Sequence, residues 1–173
     1  LEAKANPGLS PNPTKAPWYF AGLQELLLHF HPLFAVLIIA AASVTGLFLL
    51  PYLRYDADTA GVWFASLRGR RTAIVAVVVA LIITPPAIIA DEFLFDFAAW
   101  LPGVPAVISN GLLPAVLVLA GIIGFYGLMK RYYAANKNEA VQAVFVLLLI
   151  AFIILTITCI WFRGRGMALM WPG

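Results

Sequence analysis

Two side chains that can exchange protons lie four residues apart near the start of the chain. Glu25 and His29 fall on one face of a helix at this spacing, which allows a hydrogen bond or an ion pair between them. Carboxylates and imidazoles are among the groups that most often take up protons in enzymes, because their pKa values can be tuned toward neutrality. We therefore predict that Glu25 or His29 is a catalytic proton acceptor.

Three aromatic residues, Trp18, Tyr19 and Phe20, precede this pair by about two helical turns. In a helix over 17–31, one face carries an aromatic ring, a glycine, an acid and a base within about 60° of one another. That face consists of Trp18, Gly22, Glu25 and His29. A tyrosine hydroxyl can bond a quinone oxygen while its ring packs against the head group. The segment is therefore a candidate wall of a quinol site, with the three aromatic residues as quinol-binding contacts.

The same segment is also typical of a short helix that only anchors a protein at the membrane surface. In that alternative, Glu25 and His29 face water and take no part in chemistry. A haem held between His29 and His31 is disfavoured, because residues two apart point to different sides of a helix. The chain has no other histidine. A haem within the membrane would therefore need its histidine ligands from a partner chain.

Apolar residues dominate the rest of the sequence. Hydrophobic residues make up 63% of the 173 residues and charged residues 11%, with a mean hydropathy of +0.95. Soluble domains carry about 25% charged residues. Four apolar stretches of about 20 residues are each long enough to cross a bilayer as a helix, over 33–53, 72–90, 112–129 and 140–162. We predict an all-α membrane protein with about four transmembrane helices preceded by a short interfacial helix.

The order of these stretches divides the chain into three parts. The first, over 1–15, is polar and rich in proline, and we expect it to be extended. The second, over 16–90, holds the interfacial helix and two spans, and Pro85 and Pro86 are expected to kink or end the second span. The third, over 91–173, begins with an acidic loop that carries no Lys or Arg up to residue 111 and continues with two further spans. We expect that loop to lie on the surface, with a docking site for a basic redox protein as the alternative.

Small and polar residues around the last two spans suggest local roles. Glycines recur every third residue at Gly121, Gly124 and Gly127, and they predict a face for close helix packing. Asn138 and Glu139 are expected to cap the fourth span at its start. Cys159 is the single cysteine and lies within that span, so we expect a small buried hydrophobe. No phosphate-binding loop or metal-spaced set of Cys and His occurs in the sequence.

Basic residues concentrate in two loops that share one side of the membrane if the four spans alternate. The positive-inside rule then places both loops in the cytoplasm, with both termini and the 16–31 segment on the outer side. The basic residues of these loops are Arg54, Arg68, Arg70, Arg71, Lys130, Arg131 and Lys137. They account for the net charge of +3 without a nucleic-acid partner.

Several motifs of the chain resemble those of one family. The sequence over 16–20 reads APWYF and resembles the PEWY element of cytochrome b, in the C-terminal half that subunit IV of the chloroplast cytochrome complex represents. LPYL at 50–53 and SLRGRRTA at 66–73 are similar to the stretches that follow in the family. NPTKAPWYFAGLQEL at 12–26 and WFRGRGMALMWP at 161–172 resemble bacterial subunits of menaquinol-oxidising complexes.

The resemblance implies a specific function. In this family the PEWY element lines the quinol-oxidation site on the positive side of the membrane. The chain would be a multi-pass subunit of a cytochrome bc-type quinol oxidoreductase in the bacterial inner membrane, inactive alone. Its implied partners are a haem-bearing cytochrome b N-terminal-type subunit, a Rieske iron–sulfur protein, a cytochrome c-type subunit and lipid. Quinol or menaquinol would bind at a shared site, and haem b would lie in the partner chain.

Two points stay open at this stage. The proton-accepting glutamate of the family aligns with Pro17 of this chain, so Glu25 or a partner subunit would have to supply that group. The alternative function is a non-catalytic membrane anchor in another quinone-linked redox complex.

Overall fold

The computed structural model describes residues 15–49, 52, 63–64 and 66–170, apart from the side chain of residue 165. Within these ranges the backbone is helical, and β structure is limited to an isolated bridge between Arg163 and Leu169. Three predicted features lie wholly or mostly outside the described residues: the extended segment over 1–15, the LPYL stretch at 50–53 and the loop around residue 54.

Six helices make up the described part of the chain. They are α1 (Trp18–Leu28), α2 (Phe34–Leu49), α3 (Leu67–Phe93), α4 (Phe97–Trp100), α5 (Ile108–Tyr132) and α6 (Lys137–Phe162). The first turns of α2 and α5 and the last turn of α6 are wound as π-helix. A short 3-10 turn, Arg165–Met167, follows α6.

Three of these helices are long and apolar enough to cross a membrane, namely α3, α5 and α6. This confirms an all-helical architecture of membrane type for the described residues. The first predicted span, over 33–53, is described only as far as Leu49, and the apolar helix α2 is shorter than the other three. A fourth span therefore remains a prediction.

Helices α3 and α6 form the main packed pair, and alanines lie between them. Ala76 of α3 and Ala140 and Ala143 of α6 are fully buried there, together with Met129 of α5. Small side chains let helix backbones approach closely, which is how helices associate where lipid removes the hydrophobic driving force. Helix α6 also contacts α1 and α5, so it is the central helix of the described bundle.

Polar contacts at one end of the bundle bring together the basic loops, which we call the basic end (66–71 and 130–137). Ser66 hydrogen-bonds Glu139, and Arg68 Nη1 donates to the Ala134 carbonyl at 3.3 Å. The other end, which we call the acidic end, holds α1, residues 91–100 and residues 163–170. His29 contacts Asp91 there, and Arg163 contacts Glu25. In the described residues the two basic loops therefore lie at one end of the bundle, where alternation of the spans places them.

Two local expectations are corrected by the structure. Pro85 and Pro86 do not end the second span, because both lie inside α3, which continues to Phe93; a kink at them stays a prediction. Prolines are tolerated in membrane helices because neighbouring groups satisfy the freed carbonyls. The cap of α6 is Asn136 and not Asn138: Asn136 Oδ1 accepts from the Glu139 amide at 2.8 Å, and Glu139 bonds the Asn136 amide in return.

The predicted glycine face of α5 has no neighbour among the described residues. A Cβ atom built on Gly121, Gly124 or Gly127 would meet no atom within 4 Å. If this face packs a helix, that helix belongs to another chain or to residues outside the described ranges.

Candidate functional site

Helix α1 docks against the C-terminal half of α6 through its smallest residues. Ala21 and Gly22 are buried at this contact. A Cβ atom on Gly22 would overlap Thr156 Oγ1 and approach Phe152 Cζ to 2.9 Å, so only glycine lets the two helices lie this close. This approach fixes the position of Glu25, which follows Gly22 by one turn on the same face.

Glu25 and Arg163 form a buried ion pair at the acidic end. Glu25 is 0% exposed and Arg163 is 3% exposed. The Arg163 Nε atom lies 3.1 Å and 3.0 Å from the two Glu25 oxygens, and Nη2 lies 2.8 Å from Glu25 Oε1. This side-on geometry uses the fork of the guanidinium, which makes it stronger than a single contact.

The remaining guanidinium nitrogen of Arg163 binds two further elements. Nη1 donates to Glu92 Oε2 at 2.7 Å and to the Met167 carbonyl at 2.9 Å. The turn that presents this carbonyl has left-handed backbone at Gly166 (φ 70°) and at Met167 (φ 59°). Left-handed backbone costs about 1–2 kcal/mol in a residue with a side chain, so the contacts of Met167 must offset it. Arg163 thereby connects α1, α3 and the C-terminal turn.

His29 extends this cluster toward the surface. Its Nδ1 lies 2.5 Å from Asp91 Oδ2, and its Nε2 lies 3.7 Å from Glu25 Oε1. Burial lowers the pKa of His29, but the hydrogen bond to Asp91 and the ion-pair contact with Glu25 outweigh that effect and raise the pKa to about 9. His29 is therefore protonated at neutral pH.

Glu25 is ionised in the same cluster. Burial raises its pKa, but the His29 and Arg163 contacts together outweigh burial, and the pKa lies below its usual 4.5. The cluster at neutral pH consequently holds two cations, Arg163 and His29, between carboxylates of α1 and α3. We call Glu25, His29, Asp91, Glu92 and Arg163 the ion-pair cluster.

The predicted aromatic residues lie at the start of α1 and face outward. Trp18, Tyr19 and Phe20 are 74%, 58% and 54% exposed. Their rings contact one another in sequence, with centroids 5.7 Å apart for Trp18 and Tyr19 and 5.0 Å apart for Tyr19 and Phe20. The three form one continuous exposed aromatic surface, which we call the aromatic turn.

The structure therefore brings together part of the predicted stripe. Gly22, Glu25 and His29 all face the bundle, whereas Trp18 is exposed. The water-facing Glu25 and His29 of the anchor alternative are not observed, since His29 is only 15% exposed and Glu25 is buried. Within the described residues, no group of three or more His, Cys, Asp or Glu side chains could hold a metal ion.

Comparison with known proteins adds no family. No protein-family model, curated protein or solved structure matches this chain. The function must therefore be argued from the residues of the site.

Sequence reasoning missed the residue at the centre of the cluster. The sequence patterns single out no role for Arg163, and they place Asp91 and Glu92 only in the acidic loop. The available signal was positional: an arginine directly after an apolar span and two acids at the end of another, on the same side if spans alternate. Charged side chains next to membrane-spanning segments are expected to pair with one another.

Proposed function

We propose that this chain is a membrane subunit of a cytochrome bc-type quinol oxidoreductase and contributes part of its quinol-oxidation site. The observation that supports the proposal is that α1 has two different surfaces. Its first turn exposes three aromatic side chains, and its inner face holds an acid and a base in a buried cluster. Quinol oxidation needs both a surface for the ring and groups that handle the released protons.

The aromatic turn is assigned to quinol contact. Tyr19 is the best single contact, because its hydroxyl can bond a quinol oxygen while its ring packs. Trp18 and Phe20 flank it and would form the wall of the site. Their exposure in the single chain fits a pocket whose other side comes from a partner.

Proton handling is assigned to Glu25 and His29. A proton acceptor must be unprotonated, and Glu25 is ionised. Its low pKa makes it a weak base while Arg163 binds it, so Glu25 would act when that ion pair opens. His29 is already protonated at neutral pH, and its contact with Asp91 holds that proton, so His29 would stabilise the charge of Glu25 and would accept a proton only once deprotonated.

Electron acceptors are assigned to partners. His29 and His31 both lie outside the long apolar helices, so haem b is assigned to a cytochrome b N-terminal-type subunit. A Rieske iron–sulfur protein and a cytochrome c-type subunit would take the electrons onward. Quinol, with menaquinol favoured by the bacterial resemblance, would bind between this chain and those partners.

The proposal includes a location and a fourth span. The chain would lie in the bacterial inner membrane, with α2 continuing past Leu49 as the first span. The basic end would face the cytoplasm, as the positive-inside rule favours. The acidic end, with α1 and both termini, would then face the outer side.

A second candidate is a non-catalytic anchor in another quinone-linked complex. Exposed apolar residues along α1, including Leu23 and Leu28, favour it, because interfacial helices expose such residues to lipid. In that case the ion-pair cluster would only hold α1 against the bundle.

Removal of the Tyr19 hydroxyl separates the two candidates. In the assembled complex, Tyr19→Phe should lower the rate of quinol oxidation about tenfold, the effect of losing one hydrogen bond of about 1.4 kcal/mol in the transition state. Tyr132→Phe is the matched control, because Tyr132 is also exposed (72%, against 58% for Tyr19) but lies at the basic end. Unchanged turnover in Tyr19→Phe with intact assembly would favour the anchor.

A further inference from the structure

The basic end of the bundle carries far more positive than negative charge. Among the described residues, the cationic side chains exposed there are Arg68, Arg70, Arg71, Lys130, Arg131 and Lys137. Glu139 is the one carboxylate in the described parts of 63–72 and 130–139, and it already bonds the Ser66 hydroxyl and the Asn136 amide. In the sequence, the loop before Ser66 adds one arginine and two aspartates, which leaves the positive excess in place.

Part of this charge is concentrated where α3 begins and α5 ends. Arg68 and Arg71 lie three residues apart, so their side chains start from neighbouring positions on one face of α3. Arg68 reaches the loop after α5, where its Nη1 atom donates to the Ala134 carbonyl at 3.3 Å. This face therefore lies beside the last turn of α5, which contains Lys130 and Arg131. We call Arg68, Arg71, Lys130 and Arg131 the cationic cluster.

The cationic cluster contains no counter-charge of its own. Like charges three residues apart on a helix repel one another, which applies to Arg68 and Arg71. The first turn of α3 contains no acidic residue, although acids are the residues that stabilise the positive end of a helix dipole. In α6, by contrast, Glu139 supplies an acid at the same place. A bound anion beside Arg68 and Arg71 would offset both unfavourable effects.

Aromatic side chains place the basic end at the level of lipid head groups. Tyr132 is the last residue of α5 and is 72% exposed, with the Arg131 Cζ atom 5.9 Å from its ring centroid. Trp63 is 52% exposed and packs on Phe145 of α6, with ring centroids 5.5 Å apart. Trp and Tyr are enriched at the interface between membrane and water. The anion available at that depth is the phosphate diester of a phospholipid.

The composition of the cluster also fits a phosphate. Arginine supplies three of its four cations, and the guanidinium fork matches two phosphate oxygens where an ammonium group offers only a point charge. The Ala134 carbonyl takes one donor of Arg68 and holds that side chain in place before a ligand binds. Ordering a side chain in advance lowers the entropic cost of binding.

We propose that the basic end binds an anionic phospholipid, with its head group held by Arg68 and Arg71 beside the end of α5. The lipid supplies the negative charge that the cationic cluster lacks, and its acyl chains continue along the apolar surface of the spans. The site uses no residue of the aromatic turn or of the ion-pair cluster, so it does not depend on the proposed function.

Native mass spectrometry of the full chain in detergent tests this directly. The probes are phosphatidylglycerol and phosphatidylcholine with identical acyl chains, so that only the head group differs. We expect the Kd for phosphatidylglycerol to be about tenfold lower, since basic residues near a membrane surface each contribute to the binding of anionic lipid. Arg68→Gln and Arg71→Gln should each raise that Kd about fivefold, and the double variant should bind the two lipids equally.

Arg70→Gln is the matched control, because it removes the same charge from the same helix. Arg70 lies about 200° around α3 from Arg68, and its Nε atom donates to the Phe64 carbonyl at 3.4 Å. It should change the Kd by less than about twofold. A loss in Arg70→Gln as large as in Arg71→Gln would show a general effect of charge and would overturn the site.

Two further outcomes would also contradict the proposal. Equal affinity of the wild-type chain for the two lipids would leave the cationic cluster to an acidic protein partner. Displacement of phosphatidylglycerol by millimolar inorganic phosphate would show that the anion alone is bound, without the rest of the lipid. Circular dichroism checks that each variant is helical, and Arg71→Gln decides the matter if Arg68→Gln, which loses the Ala134 contact, does not fold.

Discussion

At the scale of single residues, the stability of the acidic end depends on pairing charges that are out of water. Glu25 and Arg163 lie 138 positions apart in the sequence and are both buried. Each charge is satisfied by the other, and Arg163 also donates to Glu92 Oε2 and to the Met167 carbonyl. Such a pair gives little net stability, but removal of one partner leaves an uncompensated buried charge.

We therefore predict a large asymmetry between single and double variants at this pair. Arg163→Met should destabilise the chain by about 3–5 kcal/mol, because buried Glu25 loses its hydrogen-bonded cation and keeps only the 3.7 Å contact with His29. The double variant Glu25→Leu with Arg163→Met should recover most of that loss. Unfolding by SDS titration, followed by circular dichroism, measures both. Arg131→Met is the control, since Arg131 is exposed at the basic end; equal losses in Arg163→Met and Arg131→Met would contradict the buried-pair account.

Because His29 is protonated in the folded chain, the free energy of unfolding should fall at alkaline pH. Its pKa rises from 6.5 to about 9 on folding, so the folded state binds the proton more tightly than the unfolded state. The resulting stability is fully present below pH 6.5 and is lost as the pH rises through 9. The charged or titratable groups near His29 are Glu25 on α1, Asp91 on α3 and, across a polar cavity of about 260 Å³, His31.

Wild-type stability should fall by about 1–3 kcal/mol between pH 6.5 and 9.5, and His29→Gln should remove most of this dependence. SDS unfolding at a series of pH values gives the slopes. The same slope in the wild-type chain and in His29→Gln would assign the dependence to another group. The lowered pKa of Glu25 acts in the opposite range, since its stabilising charge is present above pH 4.5 and is lost as the pH falls.

Local spacing predicted only the local part of this cluster. The four-residue separation of Glu25 and His29 correctly indicated that they are neighbours on α1. Their partners Asp91 and Arg163 are 62 and 138 positions away, and no helical periodicity connects residues at such separations. That pairing depends on how α1, α3 and α6 pack, which spacing alone does not determine.

At the scale of elements, the contact between α1 and α6 depends on one glycine. Gly22 has Thr156 and Phe152 directly against its backbone. Other glycines, such as Gly46 of α2, have open space where a side chain would lie. The two positions therefore offer opposite responses to the same substitution.

Gly22→Ala should destabilise the chain by about 1–3 kcal/mol, because the added methyl group overlaps Thr156 and forces α1 away from α6. Gly46→Ala should be neutral or stabilising by up to about 1 kcal/mol, since alanine favours helix over glycine. SDS unfolding measures the difference. If the two substitutions have equal effects, the close approach of α1 to α6 is not present in the membrane.

The end of α3 and the start of α6 differ from the boundaries that the sequence predicted. Pro85 and Pro86 predicted a kink or an end of the second span, and the predicted end is wrong because α3 continues to Phe93. Apolar surroundings favour any helix that can still form. The continuation matters for the site, since it carries Asp91 and Glu92 on the last turn of α3. The start of α6 was misplaced by two residues because the capping box uses Asn136, a neighbour of Asn138.

At the scale of the whole molecule, composition predicted the class of the fold well. Apolar stretches of membrane-spanning length correspond to α3, α5 and α6, because hydrogen bonding in lipid leaves a helix as the natural state of such a segment. Alternation of the spans also predicted that 66–71 and 130–137 share one end. The polar cavity was not predicted, because its walls come from three separate stretches of the chain, over 28–32, 91–97 and 110–114.

The basic end and the acidic end of the bundle carry different kinds of residues. Charged contacts at the basic end, such as Ser66 with Glu139, join loops through surface side chains. The acidic end instead holds buried charges, the aromatic turn and the polar cavity. Redox chemistry with release of protons is therefore proposed for the acidic end alone.

The central claim is that the aromatic turn lies against a quinol head group, near the outer surface of the bacterial inner membrane. A cryo-electron microscopy map of the complex purified through a tag on this chain, with a bound quinol analogue, tests it most directly. We predict density for the analogue within contact distance of Tyr19, with a haem or iron–sulfur centre of a partner subunit close by. A map in which Trp18, Tyr19 and Phe20 touch only lipid and water, far from any redox centre, would contradict the account.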